Sequence, residues 1–314
     1  MDNNIKKGLL TGFIAFFFVG LQPVIAILRP HAVDAYISGA MTCLVEAMIF
    51  LPIMVYELKI LKKKNQNFNN NVNEIIKFEY LRNWRKNLSL LIFIGIVFSI
   101  NQVFFFVGYD LAGAINGSLT QKTTVFFGII LGYLILKEKI TKIQIIFSFI
   151  LFFGLAISIT QFFSLLEISV SILIGVGILL LIAFLYMIGH TLTKPLFTRN
   201  DATPIQMVFL RNFISGMILI STYLIFFTPD FKLFIEPANL LFFFIMGAVY
   251  GSGLICWYLT LSYLDVSTAT TILAPTPISS ALFASILLGE IFSIAHLVGT
   301  IIIIVSIIII VNQK

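Results

Sequence analysis

The chain has 314 residues, 59% of them hydrophobic and only 11% charged, with a formal net charge of +6. A soluble domain carries about 25% charged residues, so the composition excludes a water-soluble globular fold. The positive excess does not point to nucleic acid either, because Lys and Arg gather in a few loops between long apolar runs, the pattern of membrane topology.

A helix needs about 20 apolar residues to span a bilayer. Ten such spans are predicted, at 8–28, 35–56, 88–109, 112–136, 140–160, 170–192, 203–228, 238–262, 266–288 and 292–312. The runs are about twice as long as barrel strands and do not alternate in polarity. The expected class is an all-α membrane protein. Lys6 and Lys7 precede span 1, which lacks a small-residue cleavage site and reads as a retained span. Cys43 and Cys256 both fall inside apolar runs, so they give neither a disulfide framework nor a metal site.

Span 1 carries Gln22, and span 2 carries Glu46 beside Cys43. A carboxyl kept from water holds a proton more readily, which suits a proton carrier. A fixed salt bridge to Lys122 or Arg211 is the plainer role. The loop 57–87 opens with Lys59, Lys62, Lys63 and Lys64. In its second half Ile76, Tyr80, Trp84 and Leu88 recur every four residues among Lys77, Arg82, Arg85 and Lys86. That pattern fits a short helix on an anionic membrane surface, or a solvated basic loop that only fixes orientation. Span 3 holds Asn101 and Gln102, which point about 100° apart on a helix.

Span 4 carries Lys122 midway, with Ser118 one turn before it and Thr123 beside it. A charge at that depth costs about 2.5–3.5 kcal/mol and faces protein or a water-filled cavity. Lys122 is therefore the first candidate for a substrate carboxylate or phosphate. Pairing with Glu46 is its structural alternative. His190, near the end of span 6, can titrate near neutral pH and is a second proton-coupling candidate, or else a helix-end hydrogen bonder. Arg211 in span 7 stays charged and reads as an anchor to headgroups or carbonyls. Tyr250, Leu254, Trp257 and Tyr258 share one face of span 8, which suits an organic substrate or simple packing. In span 9, Pro275 and Pro277 remove two backbone donors, so Thr270, Thr271 and Thr276 are expected to serve the freed carbonyls. Gly113 and Gly117 would loosen span 4 in a matching way. The candidate substrate residues are thus Lys122, Gln22, Asn101, Gln102, Ser118, His190, Tyr250, Trp257, Tyr258 and Thr271, with Glu46 and His190 for protons.

The two halves repeat. Ile14-Ala15-Phe16 and Ile182-Ala183-Phe184 lie 168 residues apart, which sets Gln22 against His190 and Cys43 against Arg211. After the basic loop the offset is 152, and Glu138 meets Glu290 in two Leu-x-Glu corners. The units are 1–160 and 161–314. Five spans per unit is odd, so the second copy enters the membrane upside down. With the N-terminus inside, sixteen Lys and Arg fall on the inner side, while only Arg29 and Lys232 fall outside. Both termini are therefore expected in the cytoplasm, in a cell membrane. Inverted repeats place a site at the midplane between them, and alternating access follows from rocking the two halves.

The corners LKEKI (136–140) and LGEIF (288–292), the Pro-bearing helix before the second, IAFLYMIGHTLTKPL in span 6 and the early Arg211 of span 7 resemble the drug/metabolite transporter superfamily in its EamA-like branch. The resemblance covers the whole chain. The chain departs from the family where Thr42 and Cys43 replace an Arg of span 2, and where the first corner reads Lys-Glu rather than Gly-Glu. It implies ten helices in two inverted five-helix repeats and a transporter rather than an enzyme. Glu138 and Glu290 are read as corner residues rather than ligands. No P-loop or other cofactor motif occurs. The expected substrate is a small metabolite with a carboxylate, an amino acid being the leading choice. An exporter of drug-like aromatic compounds is the alternative within transport, and a lipid scramblase or intramembrane enzyme the alternative outside it. The expected partners are that substrate and the bilayer, and a homodimer is compatible with the sequence.

Overall fold

The computed structural model describes residues 3–66, 83–137, 139–164, 169–199, 201–264 and 266–313. Among these there is no strand. The helices in the first half are α1 (Asn3–Ile27), α2 (Ala35–Gln66), α3 (Leu88–Ala112), α4 (Ala114–Thr120), α5 (Thr124–Leu136) and α6 (Lys142–Ile159). Those in the second are α7 (Val170–Thr198), α8 (Pro204–Phe226), the short α9 (Lys232–Ile235), α10 (Pro237–Tyr263), α11 (Val266–Leu273), α12 (Thr276–Leu287) and α13 (Ile294–Val311). Among the described residues, nine helical segments are long and apolar enough to cross a bilayer, with α4 and α5 forming one of them. The tenth span is present but divided into α11 and α12. Outward-facing residues such as Phe149, Phe153 and Ile286 are exposed. Such a surface is stable only in hydrocarbon.

The most extensive packing joins span 1 to 8, 3 to 6, 2 to 7 and 5 to 10. All four pairs cross between the halves. Exchanging each span for its partner five places on turns 1–8 into 6–3 and leaves 2–7 and 5–10 unchanged, the signature of a pseudo-two-fold between inverted repeats. Local signals obey the same symmetry. Spans 5 and 10 both open with a capping box, Thr141 with Gln144 and Ser293 with His296, and each pair lies 152 residues from the other. The residue before each Leu-x-Glu carboxylate is left-handed, Lys137 at φ 59° and Gly289 at φ 70°. Glycine adopts that conformation freely, while a lysine does so at a cost of about 1–2 kcal/mol.

One expectation needs correction. Span 4 does not loosen at Gly117, which lies inside α4 with the Tyr109 ring against it. The helix instead tightens into a 3-10 turn over Gln121–Thr123. There the hydroxyls of Thr120, Thr123 and Thr124 bond back to the carbonyls of Asn116, Thr120 and Gln121, a competition that distorts helices. Of the basic surface segment, residues 67–82 lie outside the described residues, as do Glu138 and Asp265. The part described, Asn83–Asn87, is a 3-10 turn leading directly into span 3.

Spans 5 and 10 meet through small residues, as membrane helices do. A Cβ on Gly299 would lie 1.9 Å from Ser158 Oγ and 2.4 Å from the Gly154 carbonyl oxygen. Backbone cannot yield there as a flexible side chain could. Gly299→Val is expected to destabilise the protein by at least the 1–3 kcal/mol or so of an overpacked core, read as a lowered melting temperature in detergent. Gly177→Ala, where an added Cβ meets nothing within 4 Å, is the neutral control.

Candidate functional site

Two polar centres lie between the halves. The first is where the broken spans 4 and 9 face each other. Pro275 and Pro277 end α11 and leave the Leu273 carbonyl without a helical partner. Thr276 Oγ1 donates to it at 2.5 Å, and Lys122 Nζ donates to it at 2.7 Å from the 3-10 turn of span 4. Lys122 and Ala274 are equivalent positions in the repeat, so each half contributes its break to one crossing. Among the described residues Lys122 has no carboxylate partner, so the alternative pairing with Glu46 is not formed. The buried Gln121 Nε2, Ser279 Oγ and Ser280 Oγ find no hydrogen-bond partner.

The second centre is built from spans 2, 3, 6, 7 and 8. Arg211 is 2% exposed and Glu46 is 0% exposed. The two do not touch. Asn212 stands between them, its Oδ1 accepting from Arg211 Nη2 at 3.1 Å and its Nδ2 donating to Glu46 Oε2 at 2.6 Å. The guanidinium lies over the Phe98 ring, 4.2 Å from its centroid, a cation–π contact that strengthens when desolvated. This is not the headgroup or carbonyl anchor that the sequence led us to expect. His190 stacks on Tyr186 with 6.1 Å between ring centres and meets Phe98 and Tyr258 edge-on at 5.6 and 6.0 Å. The Tyr186 and Tyr250 hydroxyls hydrogen-bond each other, and Gln22 Nε2 donates to the Tyr250 carbonyl at 3.3 Å.

Several polar atoms around this cluster have no partner. They are Glu46 Oε1, Asn101 Oδ1 and Nδ2, Gln102 Nε2 and His190 Nδ1. Burial of unpaired polar groups is costly, and each calls for an explanation.

The structure thus brings Glu46, His190, Tyr250, Tyr258 and Gln22 into connection around Arg211. Asn101 and Gln102 are buried in span 3, one turn beyond Phe98. Lys122 lies at the other centre. Ser118 is buried, and its hydroxyl bonds within its own helix to the Ile115 carbonyl at 2.9 Å. Trp257 packs against a separate apolar cluster that includes Leu196, Met207 and Leu254. Thr271 lies in α11, two residues before Leu273. Sequence reasoning missed Asn212, because an amide next to an arginine carries no signal of its own.

A third network was also missed. The Glu290 carboxylate crosses between the halves to cap α4, accepting from the Ala114 N–H at 2.7 Å and the Ile115 N–H at 3.0 Å. It is therefore more than a corner residue. Gly113, at φ 80°, delivers the helix start to it. Beside it, His296 Nε2 meets Asn116 Oδ1 at 3.1 Å and Gln161 Nε2 at 3.2 Å. A capping interaction is worth about 0.5–2 kcal/mol. Glu290→Ala is expected to lower stability by that amount, while Glu290→Gln, which keeps one acceptor, should recover part of it. Thermal melts of the three proteins in detergent decide this.

A family model described as the EamA-like transporter family matches residues 6–160 and 169–312. No curated protein matches the sequence. One crystal structure superposes with a TM-score of 0.66 at 11% identity, over 97% of this chain and 96% of that one. At that identity the likeness shows the fold alone.

Proposed function

The chain belongs to the EamA-like transporter family, and from that premise we propose that it is a secondary transporter of a small organic metabolite bearing a carboxylate, an amino acid or a close relative. Membership makes it a multi-pass membrane protein of the drug/metabolite transporter type. The observation that carries the finer reading is the set of unpartnered atoms on Glu46, Asn101, Gln102 and His190 around a buried arginine. They are hydrogen-bonding capacity that a polar solute would satisfy. Arg211 supplies a planar, permanently charged donor for the carboxylate. Glu46 Oε1 is free for an ammonium group or a proton, and His190 is the second proton candidate. The Tyr186, Tyr250 and Tyr258 rings would flank an organic side chain. Lys122 lies on span 4 with Ser118 one turn before it, Thr271 lies on the facing span 9, and Lys122 is the second cation available along the path.

Arg211, Asn212 and His190 belong to the second half, and Glu46, Asn101 and Phe98 to the first. Rocking one half on the other would therefore open and close the cluster. The loop-charge bias supports a topology with both termini in the cytoplasm.

The test is a thermal-shift screen of amino acids, organic acids, nucleosides and cationic drugs on purified protein. A ligand at a hundredfold excess over its Kd adds about 2.7 kcal/mol. A carboxylated compound is expected to stabilise wild type and to lose that effect in Arg211→Gln, with Lys122→Ala less affected. In proteoliposomes, Glu46→Gln should bind the compound yet lose accumulation driven by a proton gradient. An unchanged shift in folded Arg211→Gln would remove the arginine from the site. Shifts from cationic or neutral aromatic compounds alone would favour the drug exporter, and lipid transfer without solute uptake the scramblase.

A further inference from the structure

A groove opens between spans 2 and 7 at the end of the molecule that carries Lys59, Lys194 and Arg199. Its walls are Met54, Leu58, Phe209 and Phe213, and Trp84 of the 3-10 turn closes it. It holds about 310 Å³, the lower end of the 300–1,000 Å³ or so of ligand sites.

Among the described residues, the charged or amide side chains that line it are Arg85 and Gln206. The exposed Arg85 guanidinium lies over the Trp84 ring, 5.5 Å from its centroid. Gln206 is 1% exposed. Its Oε1 is committed to the Thr203 N–H at 3.0 Å in the capping box, but its Nε2 has no partner. Nearby Glu57 is turned to Thr203, whose hydroxyl donates to it at 2.8 Å.

The groove therefore asks for two things at once. Its walls need an apolar filling, and Arg85 and the unpartnered Gln206 Nε2 need an acceptor carrying negative charge. A free phosphate supplies only the second, and a neutral acyl chain only the first. We propose that the groove binds one anionic phospholipid, with an acyl chain between spans 2 and 7 and the phosphate on Arg85 and Gln206 Nε2. The orientation read from charge would place it in the cytoplasmic leaflet, though binding does not depend on that orientation or on the transported substrate. A lipid so placed would touch the span that carries Glu46 and the span that carries Arg211.

The experiment titrates detergent-purified protein with phosphatidylglycerol, phosphatidylcholine and inorganic phosphate, using native mass spectrometry and thermal shift. Wild type is expected to retain one phosphatidylglycerol and to be stabilised by it, and by neither of the other two. Three variants are compared. Arg85→Ala changes an exposed residue. Gln206→Glu keeps the capping acceptor while removing the free donor. Met54→Trp fills the groove. Loss of one hydrogen bond to a charged group should weaken binding about tenfold or more in each of the first two, and Met54→Trp should displace the lipid. Equal response to phosphatidylcholine, a shift from phosphate alone, or wild-type affinity in Gln206→Glu and Met54→Trp would overturn the proposal. In the last case, loss in Arg85→Ala only would mean a basic surface without a built site.

Discussion

A carbonyl that has lost its helical donor cannot be left in hydrocarbon, and the arrangement at the centre of this protein follows from that rule. Span 9 breaks at Pro275 and Pro277, and the Leu273 oxygen is the group exposed by the break. It is satisfied by its own Thr276 and by Lys122 from the opposite half. One interaction therefore settles two costs, a bare carbonyl and a buried ammonium. It also ties spans 4 and 9 together at one point, with the lysine reaching from the 3-10 turn at Gln121–Thr123. Because each half contributes one partner, relative motion of the halves must stretch or break this bond.

The second centre follows a different logic. The Glu46 carboxyl and the Arg211 guanidinium are buried without direct contact, and a neutral amide carries the interaction between them. A tight buried ion pair would satisfy both charges and leave little to offer a solute. With Asn212 interposed, Glu46 keeps one free oxygen, and the guanidinium rests on Phe98. The aromatic groups around them come from spans 3, 6 and 8, which pack across the repeat boundary.

Most of the fold was legible in the sequence because bilayer thickness imposes a length on each apolar run, and the 152-residue offset then relates the second half to the first. The break in span 9 was legible too, since proline has no N–H to give. The partners of the buried charges were not. Lys122 could be placed at depth, but a backbone carbonyl as its acceptor leaves no mark in side-chain chemistry, so a carboxylate was the natural expectation. Asn212 and the Glu290 cap escaped for the same reason. Each acts across 166 to 176 positions, and hydropathy carries no information on such pairings. Gly117 misled because glycine permits looseness without requiring it.

The pairing of spans 2 with 7 and 5 with 10 has an evolutionary reading. Those are the contacts that two identical five-span chains would make if they assembled antiparallel, one inserted each way. Such a dimer must carry the same residue at both symmetry-related positions. An arginine at Arg211 would then recur at Cys43, and two guanidiniums would meet on the packed faces of spans 2 and 7, where like charges repel in a medium of low dielectric. Joining the copies into one polypeptide removes that constraint. The first half is free to hold a cysteine and a glutamate, and the second an arginine and its asparagine. The asymmetry that sets a carboxyl beside a guanidinium in the central cluster is closed to a dimer of identical chains and open to two halves that differ.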